Sequence, residues 1–106
     1  MATDQRQALR KILRTRCVLV MEDGLTLSGR TNDISADGIS LTVTDPIRPG
    51  RPGNVTFELF LAGKAHMITG RITVSHCILN SEGFKAGLTF QGLDQTSSST
   101  IAKFLR

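Results

Sequence analysis

The chain has 106 residues, 40% of them hydrophobic and 21% charged, with two cysteines and neither tryptophan nor tyrosine. That suits one ordinary domain core and is too apolar for a disordered chain, while no apolar run approaches the roughly 20 residues that span a bilayer or the stretch a secretory signal needs. The net charge of +4 is confined to residues 1–16, where Arg6, Arg10, Lys11, Arg14 and Arg16 face a single acid, Asp4, and the two signs cancel over the rest; a localised charge speaks of a partner, a spread one mostly of solubility.

Residues 5–15 read as a helix or an ordered arm. Leu9, Ile12 and Leu13 recur at spacings of three and four, which marks one apolar helical face, and Arg6, Arg10 and Arg14 recur every fourth residue on a neighbouring face. A helix this short is marginal in water unless it docks. From residue 17 the pattern becomes that of strands. Residues 17–21 are a β-prone run closed by Glu22-Asp23-Gly24, a hairpin signal. Residues 25–31 alternate and lead into a turn at 33–38. Residues 39–43 alternate cleanly, with Ile39, Leu41 and Val43 inward and Ser40 and Thr42 outward. The Pro-rich segment 46–53 is a rigid loop, because proline fixes φ and removes a donor.

Three further strands follow. Residues 54–61 place Val55, Phe57, Leu59 and Leu61 on one face; residues 67–79 offer Ile68, Ile72, Val74 and Ile78 as core contacts, with Gly70 marking a bulge or a close backbone approach; residues 84–91 are the last. A helix closes the chain, capped by Asp94 or Thr96 and striped by Ile101, Phe104 and Leu105. About six short strands separated by regular turns predict an all-β fold, a small antiparallel barrel or sandwich filled by its own side chains. The chain therefore divides into a basic arm (1–16), a β-barrel (17–93) and a C-terminal helix (94–106) within one domain. Cys17 and Cys77 alternate with apolar neighbours and are expected as free thiols, and neither His66 nor His76 has a partner at metal-ligand spacing, so no metal site or cofactor is expected.

The chemistry concentrates in Asp33-Ile34-Ser35-Ala36-Asp37-Gly38, which supplies an acceptor, a hydroxyl and a glycine within six residues, beside an arginine arm. Taken alone, Asp33, Ser35 and Gly38 also suit an Asx-type turn, and the arm suits an amphipathic helix with a solvated basic face. Together, Arg-x-x-x-Arg in an N-terminal arm and Asp-x-Ser-x-x-Gly after one hairpin resemble the signature of the PilZ domain, the bacterial receptor module for cyclic di-GMP. The resemblance extends to the closing strand Ala86-Gly87-Leu88-Thr89-Phe90 followed by a helix. It implies a six-stranded antiparallel barrel with a C-terminal helix, and a ligand held by Arg6, Arg10, Asp33, Ser35 and Gly38. Arg6/Arg10 and Arg10/Arg14 both fit the arginine motif; counting back from Cys17 at the family's usual separation selects Arg6/Arg10 and leaves Arg14 an accessory cation. Asn32 and Arg30 flank the turn as weaker candidates.

The residue types suit such a ligand on their own chemistry. A guanidinium forks onto phosphate oxygens or onto guanine O6 and N7, and stacks on base planes as lysine does not. Asp33 can accept from guanine N1–H and the exocyclic amine, Ser35 adds a small donor or acceptor, and Gly38 allows positive φ and close approach of a ligand. The expected function is a cytoplasmic cyclic di-GMP receptor that rearranges its arm and signals to a downstream protein partner. An adaptor that binds protein without nucleotide is the alternative. A basic nucleic-acid-binding barrel fits less well, since no tryptophan or tyrosine offers a stacking platform. No enzyme is expected: the chain lacks a phosphate-binding loop motif, a dinucleotide fingerprint and any histidine paired at motif spacing with a nucleophile.

Overall fold

The computed structural model describes residues 9–106, which form seven strands and one helix: β1 (Lys11–Ile12), β2 (Arg16–Met21), β3 (Thr26–Ile34), β4 (Gly38–Val43), β5 (Pro52–Leu61), β6 (Lys64–Asn80), β7 (Gly83–Gly92) and α1 (Gln95–Leu105). Six strands close a barrel in the order β3-β2-β5-β6-β7-β4, with β4 returning to β3, and every pairing is antiparallel. The all-β reading and the strand count hold. Its interior is aliphatic, with Leu19, Ile34, Leu41, Val55, Leu59 and Ile72 wholly inaccessible and Phe57 beside them. Each such side chain contributes about 1.5–3 kcal/mol of burial free energy.

Two bulges set which residues face out. In the β3–β4 ladder the register shifts between Thr31 and Asp33, so Asn32 is an extra residue. Thr31 points in, the phase then changes, and Ile34 points in where strict alternation would have turned Asp33 inward. In the β6–β7 ladder a second shift falls between Val74 and His76. It turns Ser75 and His76 outward, and the strand beyond them runs past the core. Ile78, expected as a core contact, is therefore 56% exposed. Ser40, expected outward, is buried instead, close to the Asn32 amide, which donates to its hydroxyl. Gly70 is a close approach, since a Cβ there would press on the Leu93 side chain.

Residues 5–8 lie outside the described residues; of the two readings of the N-terminal segment, a helix or an ordered arm, residues 9–15 take the second. The chain there is extended, and Leu9 and Ile12 are exposed while only Leu13 is buried. β1 pairs with the far end of β3, Lys11 opposite Ile34 and Ile12 opposite Asp33, along the same edge that β2 occupies farther back. Between β1 and β2 the ladder is bridged by one buried side chain. The Thr31 hydroxyl accepts from the Thr15 N–H at 3.0 Å and donates to the Leu13 carbonyl, while the Leu13 N–H donates to the Asn32 carbonyl at 3.1 Å. Tertiary bonds thus outweigh a local helical pattern that was short and weakly capped.

The helix α1 begins as expected at Asp94, whose carboxylate accepts from the Ser97 N–H at 2.7 Å; that bond holds the Asp94 carboxyl below its ordinary pKa. Ser97, Thr100, Ile101 and Leu105 face inward, and the helix packs on β5 and β6. Its last turn meets the arm: Lys11 donates to the Phe104 carbonyl at 2.9 Å and its ammonium stands 4.9 Å from the centre of the Phe104 ring. A cation at a helix C-terminus satisfies an orphan carbonyl and complements the macrodipole.

Thr31→Val keeps the shape and leaves the Thr15 N–H and Leu13 carbonyl unpaired. It should cost about 1–3 kcal/mol in urea denaturation. Cys17 is buried in β2 and burial pushes its thiol from an ordinary 9.0 to about 11, whereas Cys77 is half-buried and both are free. A thiol-specific reagent at pH 8 should label Cys77 in the native protein and both cysteines in denaturant. Because the folded state holds the Cys17 proton where the unfolded chain has lost it, the stability this contributes is complete below about pH 9 and falls as pH rises toward 11. Cys17→Ser variants should lack that component of the alkaline decline in denaturation midpoint.

Candidate ligand-binding site

The extended arm, the re-phased end of β3 and the start of β4 converge on one open cavity of about 350 Å³. Arg10, Asp33, Ser35, Asp37 and Gly38 line one side; Ser75, His76, Lys85, Gly87 and Thr89 line the other. This volume lies at the small end of the range of about 300–1,000 Å³ usual for small-molecule sites.

Arg10 precedes β1 and reaches across to β3. Its Nε and Nη2 donate to Asp33 Oδ1 at 2.9 and 2.6 Å, and its Nη1 donates to Ser35 Oγ at 3.3 Å. The pair is half open to solvent, with 46% of the Arg10 side chain and 32% of the Asp33 side chain exposed. Such a pair adds only about 0–1 kcal/mol to stability, so its value lies in aiming the guanidinium. The position of Asp33 depends on the bulge at Asn32, which turns the carboxylate out of the barrel and toward the arm.

Ser35 is wholly buried, and its hydroxyl is occupied within the turn. It accepts from the N–H groups of Asp37 and Gly38, each at 3.2 Å, as well as from Arg10, and lies 3.4 Å from the Gly38 carbonyl. The Ser35 N–H closes the same turn by donating to that carbonyl at 2.9 Å. Ser35 therefore shapes the site rather than offering a free group to a ligand. Gly38 also departs from the expectation: its backbone is not in the left-handed region. Glycine is needed there because a Cβ would collide with the Leu88 carbonyl of β7. On the opposite side, the His76 ring lies over Gly87, where a Cβ would overlap it. Two glycines thus let the cavity floor sit flush against its walls.

Of the residues singled out from sequence, Arg10, Asp33, Ser35 and Gly38 come together. Arg6 lies outside the described residues. Asn32 turns away: its amide donates to Ser40 Oγ at 3.2 Å and Thr42 Oγ1 at 3.1 Å, and its carbonyl accepts from the Thr42 hydroxyl. Arg14 and Arg30 line a separate concavity with Asn32 and Glu82. Arg10 and Arg14 do not form one helical row: they line separate concavities, and the strand pattern is interrupted between β1 and β2. Ser75, His76 and Lys85 carried no motif, Thr89 was noted only within the closing strand, and the β6–β7 pairing with its bulge brings them to the site. Asp37 lay inside the motif, between the residues singled out. Among the described residues, no group of three or more His, Cys, Asp or Glu side chains converges as a metal centre requires.

No curated protein sequence matches the chain. Among solved structures, it superimposes on the Bacillus subtilis inhibitor of motility (MotI/DgrA) with a TM-score of 0.85 at 17% identity, over 97% of this chain and 50% of that one. Escherichia coli YcgR in complex with c-di-GMP gives 0.76 at 13% identity, over 96% and 45%. The Klebsiella pneumoniae MrkH–c-di-GMP complex gives 0.70 at 16% identity, over 98% and 52%. The chain spans about half the length of each of these three proteins, and at such identities the likeness is one of fold. The model of the PilZ domain matches residues 4–106, nearly the whole sequence. With the closed six-stranded barrel and the joined arm and turn, the chain belongs to the PilZ domain family.

Proposed function

We propose that the chain is a regulatory receptor for cyclic di-GMP that acts in the bacterial cytoplasm and passes the signal to a protein partner. The observation that carries this reading is the Arg10 guanidinium, held by Asp33 and Ser35 at the rim of the cavity. A guanidinium so placed presents its remaining donors and its planar face to a phosphate or a purine. The Asp33 carboxylate offers acceptors to guanine N1–H and amine, and Lys85 and His76 supply further donors from the opposite wall. Two solved relatives of the same fold are complexes with c-di-GMP, which supports the ligand class. Arg6 and Arg10 form the proposed arginine pair, since Arg14 lines a concavity other than the one that Arg10 lines. Two free cysteines suit a reducing compartment, and no helix among the described residues is long and apolar enough to cross a membrane.

The site offers binding groups without a nucleophile–base pair, which favours a receptor over an enzyme. The arm connects ligand to output: Arg10 stands at the cavity and its neighbour Lys11 holds the end of α1. A ligand that draws Arg10 from Asp33 moves the residue bonded to the helix. One observation favours a nucleotide-free adaptor as a second reading. Protein bonds alone from Arg10, Lys11 and Leu13 already hold the arm in place.

Isothermal titration separates the two. Saturable binding of cyclic di-GMP, with none of GTP, is expected; no binding in moderate salt would leave the adaptor. Arg10→Ala should weaken binding by about 1.5–3 kcal/mol, roughly tenfold to 150-fold, through loss of charge-assisted hydrogen bonds. Unchanged affinity in that variant would remove Arg10 from the site.

A further inference from the structure

Three arginines outside the cavity stand together. Arg16 of β2 and Arg30 of β3 are direct cross-strand partners, both exposed on the outside of the barrel, and Arg14 shares a concavity with Arg30. Like charges directly opposite each other in an antiparallel pair are destabilising. Among the described residues the ion pairs join Arg10 to Asp33, Arg51 to Asp23 and Arg71 to Glu22, and the two carboxylates that line these concavities, Glu58 and Glu82, offset the three guanidiniums only in part. A second concavity of about 550 Å³ continues from Arg30 across Arg16 to Val18, Thr56 and Met67. Val18 is 41% and Met67 68% exposed, so a basic strip runs directly into an apolar one. None of the residues lining these two concavities lines the Arg10 cavity.

We infer that this face, Arg14, Arg30 and Arg16 followed by Val18 and Met67, is a docking surface for an acidic segment of a partner protein that carries an apolar anchor residue. Charge complementarity selects the acid, because the three guanidiniums outnumber the two carboxylates beside them, form no ion pair among the described residues, and gain forked carboxylate partners there that ease the like-charge contact between strands. The exposed Val18 and Met67 select the apolar anchor, methionine being an adaptable contact at binding surfaces. Nucleic acid fits less well, because no exposed aromatic lies among the lining residues to stack on a base and the adjoining Val18 and Met67 offer nothing to a phosphate backbone. The inference rests on the reading that the chain hands a signal to another protein, and not on which nucleotide it binds.

The test is fluorescence anisotropy with a short labelled peptide of Glu and Leu, run against a labelled double-stranded oligonucleotide at the same low salt. The wild-type chain should bind the peptide more tightly than the oligonucleotide, and the double variant Arg16→Gln/Arg30→Gln should bind the peptide roughly tenfold more weakly. Arg48→Gln/Lys103→Gln, which removes the same charge from a loop and from α1, should bind as the wild type does. The variant at residues 16 and 30 should melt no lower than the wild type, since it removes a repulsion; if it melts lower, Glu58→Gln carries the test and should tighten peptide binding about twofold. Equal losses in the two double variants, preference for the oligonucleotide, no peptide binding by the wild type, or an unchanged affinity in Glu58→Gln where that variant decides would each overturn the inference. Cyclic di-GMP titration of the Arg16→Gln/Arg30→Gln variant should match the wild type. A chain that passes the peptide test yet ignores cyclic di-GMP loses only the nucleotide reading.

Discussion

The hydroxyl of Thr31 joins the two halves of this molecule. It is buried in β3, and it bridges the interval between β1 and β2, where the ladder along β3 is interrupted. Without that bridge the Thr15 N–H and the Leu13 carbonyl would lose their partners in a half-buried place, although the Leu13 N–H and the Thr15 carbonyl keep backbone bonds to Asn32 and Thr31. With it, the arm continues along the edge of β3, and the first residue before β1 lies beside Ser35, where its side chain reaches the acid turned outward by the neighbouring bulge. The placement of Arg10 is thus a result of strand pairing rather than of the ion pair, which is too exposed to hold an arm by itself.

The cavity shows a division of labour that its motif conceals. Arg10 and Asp33 keep exposed surface and present groups outward. Ser35 and Gly38 are buried, one saturating the turn with hydrogen bonds and the other making room for the Leu88 carbonyl. A motif of this kind mixes residues that touch a ligand with residues that keep the backbone where contact is possible. The second kind tolerates substitution less well, because its alternatives are a steric clash or an unpaired buried amide.

Much of the barrel was legible because its signals are local. Alternation in residues 39–43 and 54–61, the Asp-Gly turn at 23–24 and the Asp94 cap each announce an element from within a few residues. Asp33, Ser35 and Gly38 were legible because they lie close in sequence. The bulges at Asn32 and Ser75 were not, since a bulge is a property of two strands and appears only when the register of the partner is known. For the same reason Ser75, His76, Lys85 and Thr89 could not be assigned to the site, and Ile78 was placed in the core. The arm misled differently. Its spacings of three and four are what a helix would show, but Leu9 and Ile12 bury nothing, and the apolar periodicity there was coincidence over too few residues to outweigh the edge of β3.

Lys11 and Ile12 are the whole of β1, and a strand of two residues admits no half measures. Side chains alternate along an extended chain, so sliding the arm by one position would bring Lys11 to the place of Arg10 and turn the fork of a guanidinium into a single ammonium. Sliding by two would leave the Thr31 hydroxyl facing the wrong backbone groups. The arm therefore has no graded series of positions along β3: it is seated in one register or it is off the edge. A surface built on such an element answers like a latch rather than a dial, and its sharpness comes from the pitch of the peptide chain itself.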